Sequence, residues 1–187
     1  MHYTVVSFYA NAGATYYEDH AKRLEAQCEK LGLDHHIRPL EGHGDYYLNT
    51  RMKPGFILGA IHELQGPVLW LDVDTDLFNE PIISKEFTGH LGAMRKWDPP
   101  YTHFLYSHVL YFPYCLRSLN LLDEWKKACD ARPREEKISD HGVLIEVINK
   151  SIYQYDIWYL PFEESVKLGI APTTLVPSKT KKRPPVP

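Results

Sequence analysis

Apolar positions follow two spacings along this chain, and their alternation predicts most of its architecture. Tyr3 to Tyr9 is an apolar run of strand length. From Tyr16 to Leu31, the side chains Tyr17, Ala21, Leu24, Cys28 and Leu31 recur at the spacing of a helix buried on one side, and Gly32 supplies the stop. A short strand is expected from His35 to Leu40, then a polar loop, EGHGDYYLNTR, ending at Arg51. Pro54 suits the first turn of a helix that carries Phe56, Ile57, Ala60, Ile61 and Leu64 on one side, and Gly66-Pro67 breaks it. Val68 to Leu71 is apolar throughout, as a parallel strand covered on both faces should be.

Strand, helix, strand, helix, strand is the doubly wound α/β pattern, so the expectation is a single three-layer α/β/α domain over residues 1–175 with a mostly parallel central sheet. Ligands in such sheets bind beyond the carboxyl ends of the strands, which places Tyr9-Ala10-Asn11 and Asp72-Val73-Asp74 at one rim. The second half predicts strands near Gly89–Met94 and His103–Phe112, then a helix with Leu116, Leu119, Leu122, Trp125 and Cys129. A further helix is expected to start at Ser139, an N-cap residue type, and Tyr155 to Leu160 reads as a last strand. This half makes the sheet mixed.

Composition narrows the picture modestly. The 187 residues fit one domain, and 44% hydrophobic content can fill a core. No run approaches the ~18 apolar residues of a membrane span, and the start, MHYTVVSFYA, reads as a first strand and not as a signal peptide. Cys28, Cys115 and Cys129 are an odd set without metal-site spacing; buried free thiols in a reducing, cytoplasmic setting are expected. The net charge of −3 is uneven. Lys179, Lys181, Lys182 and Arg183 crowd the proline-rich end, so residues 176–187 are expected to form a disordered basic tail, with an electrostatic tether as a second use. The body is correspondingly more acidic, which argues against a broad nucleic-acid-binding face.

The richest chemistry lies in PVLWLDVDTDLF, where three aspartates alternate directly after the most hydrophobic strand. Crowded carboxylates raise one another's pKa unless a cation neutralises them, and Mg²⁺ or Mn²⁺ suits oxygen ligands while keeping positions for phosphates. Aspartates that only cap the next turn and face water are the plain alternative. A calcium loop is excluded, because Leu77 and Ile83 occupy the positions that require Gly and Glu. A haloacid-dehalogenase-type phosphatase, or a nucleotidyltransferase on the same aspartates, fits less well: Asp76 stands where that phosphatase motif has Thr or Val, and the motif belongs on a first strand.

The surrounding segments carry a resemblance. RMKPGFILGAIHELQGPVLWLDVDTDLFNEP, YFPYCLRSLNLLDEWKKAC, ISDHGVLIEVI and YLPFEE are similar, in that order, to segments of small GT-A-fold nucleotide-diphospho-sugar transferases, over about Tyr3 to Pro161. His141 stands where that family has Gln or Glu, Ser107-His108 replaces Ser-Gly, and Asp76 is an extra carboxylate. The resemblance implies a divalent-metal-dependent glycosyltransferase in which Asp72 contacts the donor ribose or the metal and Asp74 ligates the metal. Alternate residues on an extended segment point the same way, so both can face one ion; Asp76 and His141 are further candidate ligands. Tyr9, Ala10 and Asn11 fall where a base and ribose usually lie. Arg51 and Lys53 at a helix start read as an anion site for the donor. Asp140 is the candidate general base or acceptor contact, and Trp97 with Tyr101 a candidate acceptor wall. By the same resemblance a UDP-sugar is the expected donor; the acceptor stays open among glycan, small metabolite, protein and modified nucleic-acid base. A non-catalytic domain that binds nucleotide sugars is the remaining alternative.

Overall fold

The computed structural model describes residues 2–10, 15–81, 83–84, 86–95, 105–151, 154–160 and 175–177. Asn11, Trp97, Tyr101, His103 and the basic tail from residue 178 lie outside the described residues.

Strand β1 (Thr4–Tyr9) leads into helix α1 (Tyr16–Leu31), which ends at Gly32 in a left-handed conformation, φ 67°. That conformation costs a side-chain-bearing residue energy and costs glycine little. Strand β2 (His35–Pro39) follows. The expected polar loop then differs. Its second part is a helix, α2 (Tyr46–Arg51), because the Asp45 carboxylate accepts the Leu48 N–H at 3.0 Å and caps it. Only Met52 separates α2 from α3 (Lys53–Leu64), with Pro54 in the first turn as expected.

Strand β3 (Val68–Leu71) is buried along its whole length. It is followed by a turn and by β4 (Thr75–Leu77), β5 (Leu91–Arg95) and β6 (Leu105–Phe112). Helices α4 (Leu116–Asp130) and α5 (Asp140–Lys150), then β7 (Ile157–Leu160) and β8 (Leu175–Pro177), complete the chain. Ser139 is the N-cap residue of α5, but its hydroxyl does not cap; its carbonyl accepts the Val143 N–H instead.

The main sheet has six strands in the order β2-β1-β3-β6-β5-β7. β1 pairs in parallel with β2 and β3, and β5 with β7, whereas β6 runs antiparallel to both its neighbours. Five strands therefore share one direction, as a mostly parallel sheet requires. A small second sheet pairs β4 with β8, Thr75 opposite Pro177.

The two faces of β3 explain its unbroken apolar run. Val68 and Trp70 join a core with Ile57, Ile61, Leu122, Trp125 and Leu144 on the α3, α4 and α5 side. Leu69 and Leu71 join a second core with Leu24, Cys28, Val109 and Tyr111 on the α1 side. At ~25 cal/mol per Å² of apolar surface removed from water, each such leucine contributes roughly 2 kcal/mol or more. The chain winds outward from β1 in two directions, through α1 to β2 and through α3 to β3. The carboxyl ends of β1 and β3 thus form the switch-point crevice where α/β sheets take ligands.

Candidate active site

β1 stops at Tyr9 and β3 at Leu71 in adjacent parallel strands, so Ala10 and Asp72 emerge at the same edge of the sheet. They open into a cleft whose lining includes Tyr9, Ala10, Tyr17, Tyr46, Asn49, Lys53, Trp70, Asp72, Asp74, Ser107, Asp140 and His141. Seven of the ten positions expected from sequence to form the site (Tyr9, Ala10, Lys53, Asp72, Asp74, Asp140 and His141) share this one cleft.

Lys53 is the hub. Its ammonium lies 2.7 Å from Asp140 Oδ2, 2.8 Å from Asp72 Oδ1 and 3.2 Å from the Ser107 carbonyl, and sits over the Trp70 ring at 5.3 Å. Two ion pairs and one hydrogen bond thus surround the ammonium. The residue is only 4% exposed. Burial works against its charge, but Asp140 and Asp72 together outweigh that and hold its pKa above the ordinary value. Lys53 was expected to contact the donor; the structure instead spends its donors on carboxylates and a carbonyl of the protein.

Asp72 also accepts the Trp70 indole N–H at 2.9 Å, and its backbone N–H donates to the His108 carbonyl at 2.9 Å. Burial pushes its pKa up, and the Lys53 ammonium and the indole more than reverse this, so the carboxyl lies below its ordinary range. Its side chain stays 29% exposed, and the described residues give its second oxygen no hydrogen bond. Asp140 is more deeply set, 3% exposed, at the first turn of α5. Burial, with the charge of Asp72 nearby, raises its pKa despite Lys53. Burial, helped by the nearby Lys53 charge, lowers the His108 pKa although Asp72 opposes the shift.

Long-range contacts explain how α5 delivers Asp140. The Trp125 indole, fully buried in α4, donates to the Asp140 carbonyl at 3.0 Å, which gives the Leu-Leu-x-x-Trp stretch a physical purpose. The Asp140 N–H donates to Thr50 Oγ1 at 3.4 Å. Next along α2, Arg51 donates to the carbonyls of Ile138 and Pro133, each at 2.9 Å, and to that of Glu136. Arg51 thus braces the loop that precedes Asp140, and it does not line the cleft. The sequence placed it in an anion site; burial and three carbonyl partners turn its guanidinium inward.

The aspartate trio divides. Asp72, Val73 and Asp74 form a turn closed by the Thr75 N–H on the Asp72 carbonyl at 2.8 Å, not the extended segment expected. Asp72 and Asp74 both still line the cleft, but Asp76 falls on β4 and pairs with Arg23 at 2.8 Å. Among the described residues no three His, Cys, Asp or Glu side chains converge as a ready-made metal cage.

Sequence reasoning missed the α2 contribution: Tyr46, Asn49 and Thr50 line the cleft, and the Asn49 side-chain Oδ1 accepts the His43 N–H at 2.7 Å. Asp45 ahead of a short polar segment was the available signal, a capping type at a helix start. Trp70, read as core, is also a ligand of Asp72, a role for which the sequence offers no distinct mark.

No protein-family model and no curated protein matches the chain. Solved structures do. A glycosyltransferase involved in the glycosylation of the major capsid of PBCV-1 superposes with a TM-score of 0.65 over 97% of this chain and 95% of that one, at 13% identity. The glycosyltransferase GlyE of Streptococcus pneumoniae matches with a TM-score of 0.51 over 86% of this chain, at 13% identity, and the matched part is 45% of GlyE. The galactosyltransferase LgtC, solved with donor and acceptor sugar analogs, matches with a TM-score of 0.51 over 83% of this chain and 72% of that one, at 10% identity. No helix of the described residues is long and apolar enough to cross a membrane. With the central sheet, its switch-point cleft and these likenesses together, the chain has the GT-A fold of glycosyltransferases.

Proposed function

We propose that the chain transfers a sugar from a nucleoside-diphosphate donor, a UDP-sugar first among them, to a hydroxyl acceptor, with Mn²⁺ or Mg²⁺ as cofactor. The observation that carries this reading is the meeting of Asp72, Asp74, Lys53 and Asp140 in the switch-point cleft of a GT-A sheet. The donor set fits a hard divalent ion. Asp72 keeps an oxygen outside its pairing with Lys53 and Trp70, Asp74 shares its cleft, and two carboxylates plus substrate phosphates are a usual Mg²⁺ environment. Such an ion would supply charge stabilisation for the diphosphate leaving group. Asp76 is better assigned to its Arg23 pair than to the ion.

Tyr9 and Ala10 line the cleft and, with Asn11 next in sequence, are assigned to base and ribose; Tyr17 and Tyr46 add aromatic surface there. Asp140 handles the acceptor side. Its raised pKa brings it nearer the range in which a carboxylate takes a hydroxyl proton effectively, which an inverting reaction needs; in a retaining reaction the same carboxylate orients the sugar. His141 flanks it in the cleft.

The test is turnover of a nucleotide-sugar panel with Mn²⁺ or Mg²⁺, with and without sugar and peptide acceptors, followed by release of nucleoside diphosphate. Acceptor-stimulated release of diphosphate from one donor is expected. Release of inorganic phosphate from phosphoesters, without any acceptor and with no donor consumed, would overturn the proposal in favour of a phosphatase.

A further inference from the structure

The buried ammonium between two carboxylates has a consequence beyond donor chemistry, though its meaning for catalysis rests on the transferase reading. Asp72 stands at the end of β3 and Asp140 at the start of α5, from opposite halves of the chain. Without a cation between them, the buried Asp140 carboxylate and the partly exposed Asp72 carboxylate would repel and part. Lys53 fills the gap with its ammonium ion-paired to both carboxylates, hydrogen-bonded to the Ser107 carbonyl, set over the Trp70 ring and almost unexposed. Its position is also the one that a metal bridging Asp72 and Asp140 would occupy.

We infer that Lys53 is a positioning residue: its ammonium is a built-in cation that spaces Asp72 from Asp140 and keeps a divalent ion out of the slot between them. It thereby confines any metal to the outer oxygen of Asp72 and to Asp74. Asp140 is left free of metal, as a group working on a hydroxyl proton must be. The side chain therefore divides the cleft into a metal side and an acceptor side.

The experiment uses the full chain and Mn²⁺ alone, without any nucleotide. Free Mn²⁺ is counted by electron paramagnetic resonance, and melting is followed with and without the ion, for wild type, Lys53→Met and Lys53→Met/Asp140→Asn. Methionine is unbranched and nearly as long as lysine, and it removes the charge. In Lys53→Met a divalent ion should take the ammonium's place, so Mn²⁺ binds about tenfold tighter or more than in wild type (~1.4 kcal/mol). Melting of that variant should also depend far more steeply on Mn²⁺. A lysine with only a structural role would give loss of stability and no gain of metal affinity. The double variant, which removes one of the two carboxylates, should lose most of that gain while folding without metal.

Equal Mn²⁺ affinity in Lys53→Met and the double variant would overturn the inference. So would a Lys53→Met protein that fails to fold with or without Mn²⁺ while the double variant folds. Because no sugar donor is present, failure here leaves the transferase proposal standing, and failure of donor turnover leaves this result standing.

Discussion

Arg51 offers the sharpest separation between what charge alone suggests and what the structure assigns. The perturbation is Arg51→Met, with Arg51→Lys beside it. Arg51 is 7% exposed and donates to three backbone carbonyls, of Pro133, Glu136 and Ile138. A hydrogen bond from a charged donor nets ~1.5–3 kcal/mol, and a stranded buried acceptor costs about 1–3 kcal/mol. The carbonyls belong to an irregular loop that can recover some water, so the lower end applies to each, and the three together give roughly 3–5 kcal/mol. Against a typical domain stability of ~5–15 kcal/mol, that is a large loss. Urea unfolding, followed by tryptophan fluorescence, should show a much lower midpoint with a similar slope. Arg51→Lys should fare nearly as badly, since a point charge cannot reach three carbonyls in a fork. Refutation is simple. If both variants kept the wild-type midpoint, and only nucleotide binding fell, with lysine rescuing it, Arg51 would be an anion contact and the bracing argument would fail.

The other expectations follow the same geometry. Asp74→Asn should abolish metal-dependent binding of nucleoside diphosphate with less than ~0.5 kcal/mol lost from the fold, because a turn residue at the cleft bears little packing; calorimetric titration with and without Mn²⁺ checks both halves. Asp140→Asn should lower kcat by orders of magnitude with donor affinity nearly kept, and equal losses in the two would make Asp140 a donor contact. Burial pushes the Cys28 and Cys129 thiols up to about 12 from an ordinary 9.0, so the folded state holds their protons more tightly than the unfolded chain. Their contribution is complete below pH 9.0 and fades as pH rises toward about 12. At pH ~8, where a free thiol of pKa ≈ 8.5 is partly ionised, native protein should therefore alkylate first at the half-buried Cys115, as peptide mass spectrometry would show. Early labelling of Cys28 would contradict its burial.

Local signals carried far in the first half of the chain. Helix α1 and strand β3 fall where the apolar spacing put them, because α1 buries one side against a core and β3 is covered by a core on each face. The expected rim, too, is where Tyr9, Ala10, Asp72 and Asp74 meet, since a doubly wound order fixes which strand ends converge. Side-chain direction was another matter. Asp72 and Asp76 share an alternation in sequence, yet a turn at Val73-Asp74 sends Asp76 to Arg23. Arg51 and Lys53 look alike as helix-start cations, but one faces the loop before α5 and the other the two carboxylates. Those choices depend on Arg23 of α1 for Asp76, and on the loop before α5 and Asp140 at its start for Arg51 and Lys53, and no local pattern encodes them.

The most direct test of the central claim is a thermal melt of the wild type with nucleoside diphosphates and their sugars, each with and without Mn²⁺ or Mg²⁺, and of Asp74→Asn in parallel. A ligand that binds only the folded state raises the melting point by mass action. The account predicts a rise that needs both the metal and one nucleoside diphosphate or its sugar, and that vanishes in Asp74→Asn. A rise with no metal requirement, or one that survives in Asp74→Asn, would contradict the assignment of this cleft as a metal-assisted donor site.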